Sequence, residues 1–363
     1  MRMAKEPGVP ESQTGITAEA QGDTPGFVTT AERVPLFSWG STSAPSLPSV
    51  DSADQYSDID SAIGSVRSST MSINSSIYEF VEENGRTYHK YKEGKYHLPN
   101  DAEEQDRLDL QHAIFLMTTS GKLFLSPIEP SLQRVLDIGT GTGIWAIEFA
   151  QEYPGAEVIG TDLSPIQPQY VPPNCRFEID DADDEWAYSN KFDFIHARAM
   201  CSCFSDHKSV IQSCFDSLKP GGWCEWQDMS FPFSHLGPVP EDTVIVKWTE
   251  LICESAIKIG RPWSNVEKYK QYFEEVGFQN VVERRFYWPV GPWAKGDYYK
   301  SLATYFMEDI KRGMEPITMK LLPILGWSKE EMQVLLAKVR QDLTNPNIHA
   351  YLNVTFVYGQ KPF

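Results

Sequence analysis

The chain has 363 residues, 41% of them hydrophobic, and sets 32 Lys+Arg against 50 Asp+Glu for a formal net charge of −18. That balance, with basic clusters no longer than pairs such as Arg284-Arg285, excludes nonspecific binding to nucleic acid or to an anionic membrane surface. No apolar run approaches the roughly 18 residues of a membrane span, and the length fits one large domain or two small ones. Six cysteines, none before Cys175, do not make a disulfide framework, and Met1 to Pro10 lacks the apolar core of a secretory signal. The expected location is therefore intracellular, cytoplasmic or nuclear.

Between Ser38 and Ser76 there are 14 serines in 39 residues, with no apolar period. Such a stretch cannot bury enough apolar surface to offset its ordering entropy, so 1–76 is expected to be a disordered, acidic, Ser/Pro-rich tail. A single domain is expected over 77–363. Tyr78 to Tyr88 is aromatic and charged; Leu98-Pro99-Asn100-Asp101 then supplies a stop and a helix cap. Glu103 and Glu104 fall in the first turn of the following helix, and Leu108, Leu110, Ile114, Phe115 and Leu116 form its apolar face. A helical subdomain is thus predicted before the core.

In the core, strand and helix signals alternate. Strands are predicted at 134–138, 157–162, 175–179, 192–196 and 223–227, with helices over 144–153 and 208–218 between them. Farther on, Val244, Trp248, Leu251, Ile252, Ser255 and Ile259 mark a helix face, 281–290 a strand, 328–343 a helix and 351–358 a closing strand. This order predicts an α/β fold: a doubly wound, mostly parallel sheet with helices on both faces.

In such a sheet, ligands bind outside the carboxyl ends of the strands at the point where the strand order reverses. The first core strand delivers Asp137-Ile138-Gly139-Thr140-Gly141-Thr142-Gly143 to that end. A dinucleotide fingerprint would place its third glycine where Ile144 stands, and no Gly-Lys-Ser/Thr follows for a nucleoside triphosphate. Asp137 would repel a pyrophosphate but suits a ligand with a cationic, amino-bearing end; S-adenosylmethionine is one. Asp162, 25 residues on, ends the second strand, where a carboxylate can accept two ribose hydroxyls. Asp180-Asp181-Ala182 offers a polar edge for an adenine amino group. Each acid alone would more often be a solvated strand end; their recurrence at successive strand ends makes the case.

With these residues in place, the chain resembles the class I S-adenosylmethionine-dependent methyltransferases, and within them the fungal LaeA-like group. The resemblance runs from about Tyr78 to the C-terminus. It is strongest at Glu83 to His89, Glu104 to Asp109, Val135 to Ala146, Gly160 to Pro168 and Ile348 to Tyr351. It implies a seven-stranded Rossmann-like sheet with one reversed strand, supplied by 351–358, and helical additions at both ends. It also implies cofactor contacts at Gly139, Gly141, Asp162, Leu163 and the Asp180-Asp181-Ala182 turn, under a roof formed by 86–96. Asp137, Thr140 and His196 complete the candidate cofactor set.

Methyl transfer from a sulfonium is an in-line displacement that needs alignment and exclusion of water more than a dedicated catalytic group. A general base would come from His207, Glu225, Asp228 or His235, while His196 reads better as a pocket wall or cofactor contact. Cys201 and Cys203, with His196 and His207, lack the paired spacing of a structural zinc site, so no metal is expected. Phe286 to Trp293 with Tyr298, Tyr299, Tyr305 and Phe306 reads as core packing or as the wall of an apolar acceptor pocket. The expected function is methylation of an oxygen or nitrogen of a small molecule in fungal secondary metabolism. A LaeA-type regulator working with a protein partner in the nucleus is the alternative.

Overall fold

The computed structural model describes residues 79–363; the tail expected over 1–76 lies outside them. The first described element is a hairpin of β1 (Phe80–Glu83) and β2 (Arg86–His89). Asn84 and Gly85 turn it with φ of 51° and 77°, as a two-residue hairpin loop requires. The helix predicted next is α1 (Ala102–Thr118), where the Asp101 side chain accepts from the Glu104 N–H and caps the first turn. Arg86 donates to the same Asp101 carboxylate, through Nη2 at 2.7 Å, and so ties the hairpin to the helix start.

The main sheet contains β3 (Arg134–Ile138), β4 (Glu157–Asp162), β5 (Cys175–Ile179), β6 (Phe192–Arg198), β7 (Leu218–His235), β8 (Gln279–Val290) and β9 (Ala350–Gln360). Its order is β5-β4-β3-β6-β7-β9-β8. β3 pairs in parallel with both β4 and β6, β4 with β5, and β6 with β7; β9 runs antiparallel to both its neighbours. The expected seven strands and reversed closing strand are therefore present. Strand order reverses between β3 and β6, which fixes the ligand crevice at their carboxyl ends.

Helices α2 (Ile144–Glu152), α3 (His207–Ser217), α4 (Ile245–Lys258), α5 (Tyr269–Val276), α6 (Asp297–Leu321) and α7 (Lys329–Asp342), with short 3-10 helices at Trp263–Lys268 and Leu322–Leu325, complete the described elements. Alternate residues of each central strand face opposite sides. Val135, Val158 and Phe194 pack with Trp145 and Phe149 of α2, while Leu136, Ile159 and Ile195 join the larger core beneath α1, α4 and α6. With both faces covered, the sheet presents its functional surface only at the strand ends.

Candidate active site

β3 ends in the glycine turn. Gly139 and Gly141 have φ of 63° and 58°, and a Cβ on Gly139 would fall 2.4 Å from Met200 Cε. A Cβ on Gly141 would meet only Leu108 Cδ1 at 3.5 Å, so that glycine answers to backbone conformation and to open space above it. Thr140 anchors the turn twice, its N–H donating to Thr161 O at 2.9 Å and its hydroxyl to Asp137 Oδ2 at 2.6 Å.

Asp137 is buried, and its second oxygen accepts from His196 Nδ1 at 2.7 Å. The two stand side by side in the β3/β6 register. Because a carboxylate oxygen can only accept, Nδ1 carries the hydrogen of that bond. The His196 ring stacks on Trp145 at 3.8 Å, and its Nε2 has no partner although the ring is fully buried in the cavity wall. Asp137 thus organises the turn before it meets any ligand.

Asp162, at the end of β4, accepts from Gly141 N through Oδ2 and from Ser164 N through Oδ1, each at 2.8 Å. Burial outweighs these two bonds and pushes its carboxyl up to about 6. Leu163 follows it in the wall. After β5, Asp180 accepts from Asp181 N at 2.9 Å and is itself raised by burial. Asp181 is also buried, but the Lys95 ammonium paired with it keeps its carboxyl below the usual range. Lys92 pairs with Asp184 at 2.8 Å, so two lysines strap the segment after β2 across this end.

All the candidate cofactor positions, Ala182 included, line one cavity of about 220 Å3. Lys95, Tyr96, Leu98, Pro99 and Asn100 roof it, overlapping the C-terminal end of the expected 86–96 roof. Beyond the glycine turn the same cavity continues into an apolar chamber with Phe204, Met229, Phe231, Phe233, Trp263 and Phe306 in its wall.

The general-base candidates are not in that wall. Glu225, in β7, is buried and accepts from Ser126 N at 2.7 Å, Ser126 Oγ at 2.6 Å, and both Leu125 N and Gln227 Nε2 at 2.9 Å. Asp228, pushed by burial to about 6, accepts from Met200 N and Tyr269 Oη at 2.9 Å and brackets the loop after β6 against β7. His207 donates from Nε2 to Met200 O at 3.2 Å and receives Asn265 Nδ2 at 3.3 Å; burial lowers it to about 4. His235 is turned to Gly237 O at the end of β7. These four are structural bonds, not groups facing the cavity.

Cys201 and Cys203 do line the cavity, yet among the described residues no three His, Cys, Asp or Glu side chains gather as a metal site. Of the aromatic stretch, Phe306 alone reaches the chamber. Trp288 is core, edge-on to Phe115 at 5.0 Å, and Tyr287, Tyr298, Tyr299 and Tyr305 are exposed.

Sequence reasoning missed several wall residues. Arg198 ends β6 inside the cavity; its Nη2 lies 2.9 Å from His112 Nδ1 and its guanidinium 5.0 Å over Phe115, with no carboxylate within ion-pair distance among the described residues. Burial lowers it to about 10. Ala199, next in sequence, holds φ of 59°, a strained conformation placed where β6 enters the site. Arg107, Gln111 and Asp309 come from α1 and α6. A strand-end pattern could have suggested Arg198; nothing local signals the others.

A parallel sheet with one antiparallel strand, and a cavity at its switch point that joins a glycine turn and strand-end acids to an apolar chamber, defines a doubly wound α/β fold with its ligand crevice at the strand ends. Residues 102–283 match the family described as a methyltransferase domain. The chain is 36% identical over 309 residues to the methyltransferase pytC of Aspergillus terreus, covering 84% of this chain and 95% of that one. It is 33% identical over 292 residues to the probable methyltransferase tdiE of Emericella nidulans, covering 79% and 90%. To the secondary metabolism regulator laeA of Aspergillus fumigatus it is 34% identical over 302 residues, covering 81% and 80%. The chain belongs to the methyltransferase family, in its fungal LaeA-like group.

Proposed function

We propose that this chain transfers the methyl group of S-adenosylmethionine to an oxygen or nitrogen of a small molecule in fungal secondary metabolism. The observation that carries the reading is the continuity of the cavity: the glycine turn and acids at one end open into the apolar chamber at the other. The cofactor end fits the donor. Asp162 spends one lone pair of each oxygen on a backbone N–H and keeps others for ribose hydroxyls. The Asp180-Asp181-Ala182 turn faces the adenine edge. The Gly139 to Gly141 backbone permits close approach of the amino acid end, with Arg198 as a cation for its carboxylate.

When bound, the donor supplies a methyl group on a sulfonium whose sulfur leaves uncharged. The residues of the chain bind and align. The roof from Lys95 to Asn100 and the aromatic wall exclude water, and the strap of Lys92 and Lys95 to the acids after β5 holds the roof down. Catalysis here rests on positioning.

A second reading has support in the likeness to laeA: a regulator that binds cofactor while acting with a protein partner in the nucleus. Incubating the purified protein and methyl-labelled S-adenosylmethionine with an extract of its own cells separates the two. Label in an extractable small molecule supports the enzyme; label on protein alone, or none, refutes it. Gene deletion adds a second readout, since one missing methylated product marks a pathway enzyme and many silenced products a regulator.

A further inference from the structure

At the end of β6 the guanidinium of Arg198 is clasped by two side chains one turn apart on α1. His112 Nδ1 accepts from its Nη2 at 2.9 Å, and the Phe115 ring lies under it at 5.0 Å. Its Nε and Nη1 donate to no protein atom among the described residues, and neither is sealed from the cavity. One edge of the fork is therefore held, and the other two nitrogens are left for a ligand.

The chemistry of the clasp decides what that ligand can be. Desolvating a cation costs free energy, and a carboxylate beside it would offset that cost by forming an ion pair. The same pair would cancel the charge that an anionic ligand needs. A neutral imidazole fixes the guanidinium and leaves its charge uncompensated. Because Arg198 can only donate, His112 Nδ1 carries the lone pair and the ring hydrogen sits on Nε2. Glu148 of α2 accepts that hydrogen through Oε2 at 3.0 Å and so holds the tautomer. His112 is buried, whereas the Glu148 side chain is 41% exposed, which leaves the carboxylate in contact with water and one ring away from the cation. Asp137 and Glu148 attract Arg198 only from beyond ion-pair distance. Burial, and next the charge of Arg198, lowers His112 to about 3, which keeps the ring neutral and Nδ1 an acceptor above about pH 5.

Resting on the methyltransferase reading above, we infer that His112 is a positioning residue of the donor site: oriented by Glu148, it holds Arg198 as an uncompensated cation that selects donors carrying an α-carboxylate. His112 itself touches no ligand. S-adenosylmethionine and S-adenosylhomocysteine present the carboxylate beside their amine, and a decarboxylated donor lacks it. The ribose, adenine and amine are common to both kinds of donor, so the discrimination falls to Arg198 and the geometry of Arg198 to His112.

Calorimetric titration of the full chain with S-adenosylhomocysteine and with its decarboxylated counterpart, 5′-deoxy-5′-(3-aminopropylthio)adenosine, tests this. The wild type should bind the former at least about tenfold more tightly, the worth of one charge-assisted hydrogen bond. His112→Asn puts a neutral oxygen where Nδ1 stands and should rescue the preference, with a ratio within about twofold of wild type. His112→Asp puts a charged oxygen at the same point, and the ion pair it makes should bring the ratio to about threefold or less in a folded protein. His112→Phe frees the guanidinium to swing toward Glu148; it should have the same effect as His112→Asp and replaces it if that variant does not fold. Equal wild-type affinities, a comparison that needs no variant, overturn the inference. An undiminished ratio in folded His112→Asp or His112→Phe protein does so too, as does a loss in His112→Asn equal to theirs, which marks a packing role alone. A wild type that binds neither nucleoside refutes the methyltransferase reading, while S-adenosylhomocysteine binding without the preference overturns this inference alone.

Discussion

Replacing Asp162 by asparagine keeps the size of the side chain but removes its charge and one acceptor oxygen. In the native turn each oxygen accepts a backbone N–H at 2.8 Å, one from Gly141 and one from Ser164. An amide has one oxygen, so whichever way it points its NH2 opposes one of those donors. A buried donor left unmade costs about 1–3 kcal/mol, and a ribose hydroxyl that loses its carboxylate acceptor forfeits about 1.5–3 kcal/mol. Calorimetry with S-adenosylhomocysteine at pH 7.5 should therefore show affinity lower by roughly tenfold to a hundredfold. The pH dependence gives an internal control. Burial raises the wild-type carboxyl to about 6, so it is ionised at pH 7.5 and takes up a proton as pH falls through 6. Binding that favours the ionised form is present above that value and lost below it. Wild-type affinity should fall between pH 7 and 5 toward that of the variant, whose own profile lacks this step. Affinity within threefold of wild type at pH 7.5, or parallel profiles, would refute the assignment of Asp162 to the ribose.

Other consequences can be checked together. Gly139→Val forces a β-branched residue into φ of 63° and drives its Cβ into Met200, so S-adenosylhomocysteine binding should be abolished or lowered more than tenfold by calorimetry. Glu225→Ala strands the N–H groups of Leu125 and Ser126; chemical denaturation should show a loss on the order of 3 kcal/mol, with ligand affinity of the folded protein unchanged within threefold. Tyr298→Ala and Tyr299→Ala remove exposed rings and should each shift stability by less than about 0.5 kcal/mol, leaving binding as it was.

How far the fold could be read from sequence depended on whether the signal was local. β3 and β4 end where their apolar runs meet Gly139 and Asp162, because a strand buried on both faces advertises itself as a short apolar block, while the edge strand β5 shows alternation with Arg176 exposed. The Asn84-Gly85 turn carried a hairpin signal that a charged context obscured. Helix α6 was not predicted: Gly313 and Pro316 interrupt its pattern, and packing on α1 rather than propensity holds it. β7 runs on through Lys219-Pro220-Gly221-Gly222, a sequence that reads as a turn, because these residues bulge out of the register with β6 between Leu218 and Trp223 instead of ending the strand.

The site divides the same way. The glycine-turn end of the cavity is made of strand ends close in sequence order, and each candidate from Asp137 to His196 lies in its wall, whereas of the expected 86–96 roof only Lys95 and Tyr96 do. The rest of the cavity wall brings together residues as distant as Arg107 and Asp309, 202 positions apart, whose meeting only the tertiary fold creates. His207, Glu225 and Asp228 looked catalytic because polar residues near strand ends often are; in the structure their polar atoms are already paired with the backbone and neighbouring side chains.

The most direct test of the account is a crystal structure of the full chain grown with S-adenosylhomocysteine. The account predicts the ribose hydroxyls within hydrogen-bond distance of Asp162, the adenine edge at Asp180-Asp181-Ala182, the amino acid end over Gly139 to Gly141 beside His196 and Arg198, and the sulfur facing the chamber of Phe231 and Trp263. A ligand bound elsewhere, or in this cavity with its sulfur turned away from that chamber, would contradict it.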